Sequence, residues 1–170
     1  MDLNSPKISS IIDDWIEEDI GRGDLTSSAI TKKIGKANWI AKEEGIFCGI
    51  EIIKTIFQKI DEKIECKFLI DDGEKFFKDQ KLLELYGPTR SLLTSERLSL
   101  NICMHLSGIS THTKKIVDIL KGTNINLADT RKTTPGLRIF EKYAFKCGGG
   151  VNHRMGLYDA AMIKENHIAW

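Results

Sequence analysis

The basic side chains of this chain gather in one late stretch. Ala128-Asp129-Thr130-Arg131-Lys132-Thr133-Thr134-Pro135-Gly136 is followed by Gly148-Gly149-Gly150-Val151-Asn152-His153-Arg154 and then by Ile163-Lys164-Glu165-Asn166-His167. Arginine forks match carboxylates and phosphates with two parallel hydrogen bonds, and lysine supplies a compact point charge. Arg131, Lys132, His153, Arg154 and Lys164 each lie beside a glycine turn or an apolar run, as a site for a small, heavily anionic substrate requires. A cluster of like charges also fits a solvated face, and composition alone leaves both readings open.

These residues need elements to hold them. Ile125, Leu127 and Ala128 alternate as a strand would, and Ala160–Ile163 is a second short apolar run. Between them Leu137, Phe140, Ala144 and Phe145 recur at helical spacing, and the glycines at 148–150 stop the helix. The pattern is strand, loop, helix, strand, with 125–128 and 160–163 expected as adjacent parallel strands. In parallel α/β sheets and barrels chemistry collects at the C-terminal ends of strands, which is where Arg131, Lys132 and Lys164 would fall.

The earlier chain reads as an α+β amino-terminal domain over residues 1–107. Ser5-Pro6 suits a helix start, Ile8, Ile12 and Trp15 keep helical spacing, and Gly21 ends it. Residues 37–41 and 45–48 read as strands, Ile50 to Ile60 as an amphipathic helix, and Ile64, Cys66, Phe68 and Ile70 as a half-buried strand. Asp71-Asp72-Gly73 is a turn, 82–86 a strand closed by Gly87-Pro88, and Ser91–Leu106 a helix buried on more than one side. After Gly108 a separate helix is expected at Ile109–Leu120.

Composition narrows the class. The 170 residues are 41% hydrophobic and 29% charged with a formal net charge of +1, so no global field recruits nucleic acid. No apolar run is long enough to span a membrane, and Met1–Ser10 lacks the pattern of a secretory leader. Cys48, Cys66, Cys103 and Cys147 are scattered with no Cys-x-x-Cys pair, so they read as reduced thiols of a cytoplasmic protein, and no metal site is expected in this chain.

The same segments resemble the quinolinate phosphoribosyltransferase family. Glu18-Asp19-Ile20-Gly21-Arg22-Gly23-Asp24-Leu25-Thr26-Ser27 is similar to its amino-terminal signature. Leu92 to Asn101, running on to Leu106-Ser107-Gly108-Ile109-Ser110-Thr111, is similar to its central helix and barrel entry, and the late basic segments follow in family order. The resemblance implies an α/β-barrel domain from residue 108. A complete barrel takes about 250 residues and rarely under about 200. The expected fold is therefore an α+β domain followed by the first βα units of an α/β barrel, 108–170, left incomplete.

The implied reaction joins quinolinate to phosphoribosyl diphosphate, releasing pyrophosphate and CO₂ and leaving nicotinate mononucleotide for NAD biosynthesis. Matching positions imply Arg131 and Arg154 on the quinolinate carboxylates, Lys164 adding a third charge there, and Lys132 facing the phosphoribosyl diphosphate. Lys132 and Lys164 are the implied catalytic residues. Thr130 offers a hydroxyl, His153 lines the pocket, and Arg97 reaches a neighbouring subunit's site, so a homodimer or higher oligomer is implied. For Arg97 a structural salt bridge, and for His153 a structural histidine, remain as readings. Asp24 and Glu96 are expected as orienting partners, and His105, His112 and His167 as structural. Mg²⁺ is implied with the diphosphate, its protein ligands lying beyond residue 170. The segment 77–81 lacks a glycine where the family turns, and Glu165 stands where aspartate is usual. As given, the chain is expected to be inactive alone. The alternatives are a non-catalytic chain pairing with a full-length subunit, or a paralogue associated with molybdate transport.

Overall fold

The computed structural model describes residues 5–30 and 33–170. The expectation about a leader at Met1–Ser10 lies in part, at 1–4, outside the described residues. Helix α1 (Pro6–Ile20) starts at the Ser5-Pro6 pair, because proline's fixed φ suits the first turn and its missing N–H costs nothing there. Gly21 ends it at φ 46°, a left-handed backbone that favours glycine. Helix α2 (Leu25–Ser28) is one turn, N-capped by Asp24.

A three-stranded antiparallel sheet follows in the order β1 (Ile34–Ile40), β5 (Lys81–Pro88), β3 (Glu65–Phe68). Helix α3 (Ile50–Ile60) covers the expected amphipathic segment. Along 64–70 burial alternates as the residue pattern does, since successive side chains of a strand point to opposite faces. The expected strand at 45–48 shortens to β2 (Gly45–Ile46), which pairs with β4 (Lys75–Phe76), a strand without a signal in the sequence. Trp39, Phe47, Phe57 and Leu83 meet between the three-stranded sheet and the helices, forming the first core.

Two kinds of expectation are corrected, the first being where elements end. Ser91–Leu106 and Ile109–Leu120 are not separate helices but one, α4 (Thr89–Ile119), running through Gly108. A mid-helix glycine costs about 1 kcal/mol, and packing on both sides offsets that: Leu106 and Ser107 before it, and Ser110 and Thr113 after it, are buried. Strand β5 likewise runs on through Gly87 and Pro88 instead of stopping there.

The second correction concerns the parallel strands. Residues 125–128 and 160–163 do not pair. The parallel contact is a single bridge, Ala128 to Val151, in which the Val151 amide donates to the Leu127 carbonyl (2.9 Å) and the Asp129 amide to the Val151 carbonyl (3.2 Å). A strand exists only against a partner, and residues 157–170 are exposed throughout. Lys164 therefore ends no strand; it precedes the one-turn helix α6 (Glu165–Ile168).

Helix α5 (Arg138–Cys147) crosses between the two bridge segments. Its Phe140 and Ala144 enter a second core with Ile8 and Ile12 of α1, Ile52 and Ile56 of α3, and Leu98 and Leu106 of α4. Burying a phenylalanine contributes about 1.5–3 kcal/mol, and the Phe140 ring also meets Trp15 at 4.8 Å between centroids. Gly148 caps α5 as expected; a Cβ there would lie 2.5 Å from the Ser110 carbonyl, so only glycine lets α5 approach α4 this closely.

Candidate active site

The Ala128–Val151 bridge sends two segments, 129–132 and 152–154, out on the same side. Asp129 joins them. Its Oδ1 takes the Lys142 ammonium and the His153 amide (2.8 Å), and its Oδ2 takes Asn152 Nδ2 (2.7 Å). Asn152 Nδ2 also donates to the Lys142 carbonyl (2.8 Å). The ion pair is almost fully enclosed, with side-chain exposures of 1% for Lys142 and 6% for Asp129. Both charges need each other there, because an unpaired buried charge is heavily penalised.

Arg138, at the start of α5, ties the loop from the other side. Its Nε donates to Thr133 Oγ1 (3.0 Å), Nη1 to the Met155 carbonyl (3.2 Å) and Nη2 to the Arg131 carbonyl (3.4 Å). Glu141 Oε2 accepts from the Thr134 amide (3.1 Å), and Oε1 meets His105 Nε2 at 3.0 Å. Partial burial pushes the Glu141 carboxyl up, but the hydrogen bonds from Thr134 and His105 outweigh it and hold the carboxyl below its ordinary value.

The result is a cavity of about 480 Å³ lined by Asp129, Thr130, Arg131, Lys132, His153, Arg154, Met162 and Lys164. Six of the seven expected site residues meet there. Thr130 Oγ1 accepts from the Lys132 amide (3.1 Å) and shapes the turn. Arg131 Nε is buried with no hydrogen-bond partner, a donor left for an acceptor in the cavity. Arg154 spends one Nη1 bond on the Ala160 carbonyl (2.7 Å). Asp129 is the only carboxylate in the lining, and its charge is already matched by Lys142. The four remaining cations give the cavity a net positive surface suited to a polyanion.

Arg97 is the exception. It stands exposed on α4, outside the cavity lining, and no salt bridge or hydrogen bond engages it among the described residues. The expected roles of Asp24 and Glu96 at the site are not realised in this chain. Asp24 takes the Ser27 amide (2.9 Å), the Ser27 hydroxyl and Thr94 Oγ1 (2.9 Å), fastening α2 to α4, and Glu96 is exposed. His105 holds Glu141, and His167 Nδ1 accepts from the Lys164 amide (3.2 Å). Sequence reasoning missed Asp129, Arg138, Lys142 and Asn152 as the residues that position the cations. Asp129 and Asn152 had one available signal, a position one or two residues before the basic residues of their loops. Lys142 had none, since a lysine inside an amphipathic helix normally faces water.

Comparison with known proteins bears on the family and the fold. The family model described as the quinolinate phosphoribosyl transferase N-terminal domain matches residues 24–107, and that of the C-terminal domain matches 109–170. A Bacillus subtilis protein named a probable nicotinate-nucleotide pyrophosphorylase (carboxylating) is 46% identical over 168 residues, covering 98% of this chain and 58% of the relative. The Nicotiana glauca quinolinate phosphoribosyltransferase (decarboxylating) 1 is 39% identical over 165 residues, covering 95% of this chain and 47% of the relative. The solved structure of the nicotinate-nucleotide pyrophosphorylase from Francisella tularensis superposes with a TM-score of 0.93 at 39% identity, covering 98% of this chain and 61% of that one. The chain thus spans about half to three-fifths of the length of these relatives. With both halves of the family pattern matched in order, the chain belongs to the quinolinate phosphoribosyltransferase family.

Proposed function

We propose that this chain carries the quinolinate-binding part of a phosphoribosyltransferase that makes nicotinate mononucleotide, pyrophosphate and CO₂ from quinolinate and phosphoribosyl diphosphate. The observation behind this reading is the convergence of Arg131, Lys132, Arg154 and Lys164 on one cavity whose lone carboxylate is neutralised. The reaction brings a dicarboxylate against a polyphosphate. Each like-charge pair at about 4 Å costs on the order of 1 kcal/mol in water and about 4 at an effective dielectric near 20, so fixed cations must offset it. Arg131 and Arg154 take the carboxylates, Lys164 adds charge on the same substrate, and Lys132 faces the diphosphate, with Lys132 and Lys164 the catalytic pair. His153 and Thr130 line the cavity. Exposed and unpartnered, Arg97 serves the cavity of a second copy, which makes the working unit a dimer or larger. Residues 1–107 form the amino-terminal domain and 108–170 open a barrel that these residues leave incomplete, in a cytoplasmic protein.

The residues around the cavity do not fit Mg²⁺. Asp129 has its charge matched by the buried Lys142 ammonium, and it is the only carboxylate of the described residues in the cavity lining, whereas a hard divalent cation needs several anionic oxygens. The ion would enter with the diphosphate, and none of the roles above runs through it.

Calorimetric titration of each substrate tests the assignment. Arg154→Ala should weaken quinolinate by about 2–4 kcal/mol, the loss of a bidentate charged contact, while phosphoribosyl diphosphate changes little. Lys132→Ala should show the reverse preference. Equal losses for both substrates in both variants would refute the division of roles.

A further inference from the structure

A second cluster of chemically capable side chains lies outside this cavity. Cys48 sits at the junction of β2 and α3, Asp72 in the turn before β4, and Cys147 at the last residue of α5. One ligand atom from each, two sulfurs and a carboxylate oxygen, all lie within 4.8 Å of one another. Cys48 is fully buried, Cys147 and Asp72 are half-buried, and both thiols are free.

Only neutral donors meet the carboxylate of this cluster. Asp72 Oδ1 accepts the Gly49 and Ile50 amides at the start of α3 (2.7 and 3.2 Å), and Tyr143 donates its hydroxyl to Oδ2. No lysine, arginine or histidine pairs with Asp72 among the described residues, although it stands against two thiols. Cys147 closes α5, where the C-terminal carbonyls add further negative potential. We propose that Cys48, Cys147 and Asp72 form a binding site for a thiophilic divalent cation of the Zn²⁺ class, with water as the fourth ligand. Thiolate and carboxylate bonds of about 2.3 and 2.1 Å in a tetrahedron put the donors about 3.3–3.8 Å apart, within the spacing already present. Binding exchanges two thiol protons for the metal, M²⁺ + 2 RSH → M(SR)₂ + 2 H⁺, so affinity rises with pH. The cation would brace the start of α3 against the end of α5, the helix that carries Arg138 and Lys142.

Anaerobic titration of the reduced chain with Co²⁺ is the test. One equivalent should bring up a thiolate-to-cobalt charge-transfer band and tetrahedral visible bands, both lost in Cys48→Ser and Cys147→Ser and kept in Cys66→Ser. Zn²⁺, and not Mg²⁺, should displace the cobalt. If the serine variants fail to fold, alkylation of the unaltered chain decides. Zn²⁺ should slow the reaction of half-buried Cys147 with iodoacetamide and leave that of half-buried Cys66 unchanged. Absence of the charge-transfer band, a band that survives loss of both cysteines, equal alkylation rates, or a Cys48–Cys147 disulfide in place of bound metal would each overturn the proposal.

Discussion

Around Phe57 and Leu83 the chain holds itself by burial; around Arg131 and Arg154 it holds itself by hydrogen bonds to charged groups. The amino-terminal part builds two apolar clusters on a sheet and on helices α1, α3 and α4. The stretch after Ile119 contributes only Phe140 and Ala144 to the buried apolar side chains, both on α5. Its loops depend instead on Asp129, Lys142, Asn152 and Arg138. Apolar burial is insensitive to direction, whereas charged hydrogen bonds fix orientation. A site that must aim several cations at one substrate gains from the second kind of support, set on a base made by the first.

The comparison is broken most directly at Lys142. Lys142→Ala leaves Asp129 as an unpaired buried carboxylate and should cost about 3–5 kcal/mol. Hydrogen exchange should lose protection first at 128–134 and 150–154, with β1 and β5 following only if the two parts unfold together. Protection unchanged in those loops would mean that Asn152 and the His153 amide suffice for Asp129.

A smaller effect is expected from Arg138→Ala. It removes three hydrogen bonds, each to a charged donor worth about 1.5–3 kcal/mol, partly replaced by water. The core should keep its denaturant midpoint to within about 1 kcal/mol while quinolinate affinity falls, because the loop carrying Arg131 loosens. Arg138→Lys should recover little, since an ammonium cannot span Thr133, Met155 and Arg131 as the fork does. A midpoint that drops with affinity unchanged would make Arg138 a stability residue alone.

The legible part of the molecule follows the same division. The bounds of α3, the alternation at 64–70 and the glycine stop after α5 were readable because periodicity and caps are local. The basic side chains that meet at the cavity were readable as a set because charge type and neighbouring glycines are local too. Four features were not. Gly108 signals a break, yet packing on both sides carries the helix through it. Ala160–Ile163 has a strand's composition without a strand's partner. Cys48 and Cys147 look unrelated in a spacing rule and become neighbours only when α5 lies against α4. Lys142 and Arg138 read as surface charges, and nothing short of the crossover from Ala128 to Val151 shows what they hold.

The smallest effect belongs to the amino-terminal part, at a place where it too relies on a charge. Asp24 caps α2 and reaches Thr94 of α4. The Ser27 hydroxyl, then the Ser27 amide and the Thr94 hydroxyl, hold its carboxyl below the ordinary value. A depressed folded value means the capping stabilisation is present above the unfolded value of about 3.9 and is lost as pH falls through the folded value. Asp24→Ala should therefore lower the thermal midpoint slightly at neutral pH, and the gap to the unaltered chain should close under acid conditions. Asp24→Asn, which keeps a capping oxygen, should lose less than alanine at neutral pH. Thermal unfolding followed by circular dichroism across that range is the measurement. A gap of the same size at every pH would show that the contact acts through its shape and not its charge.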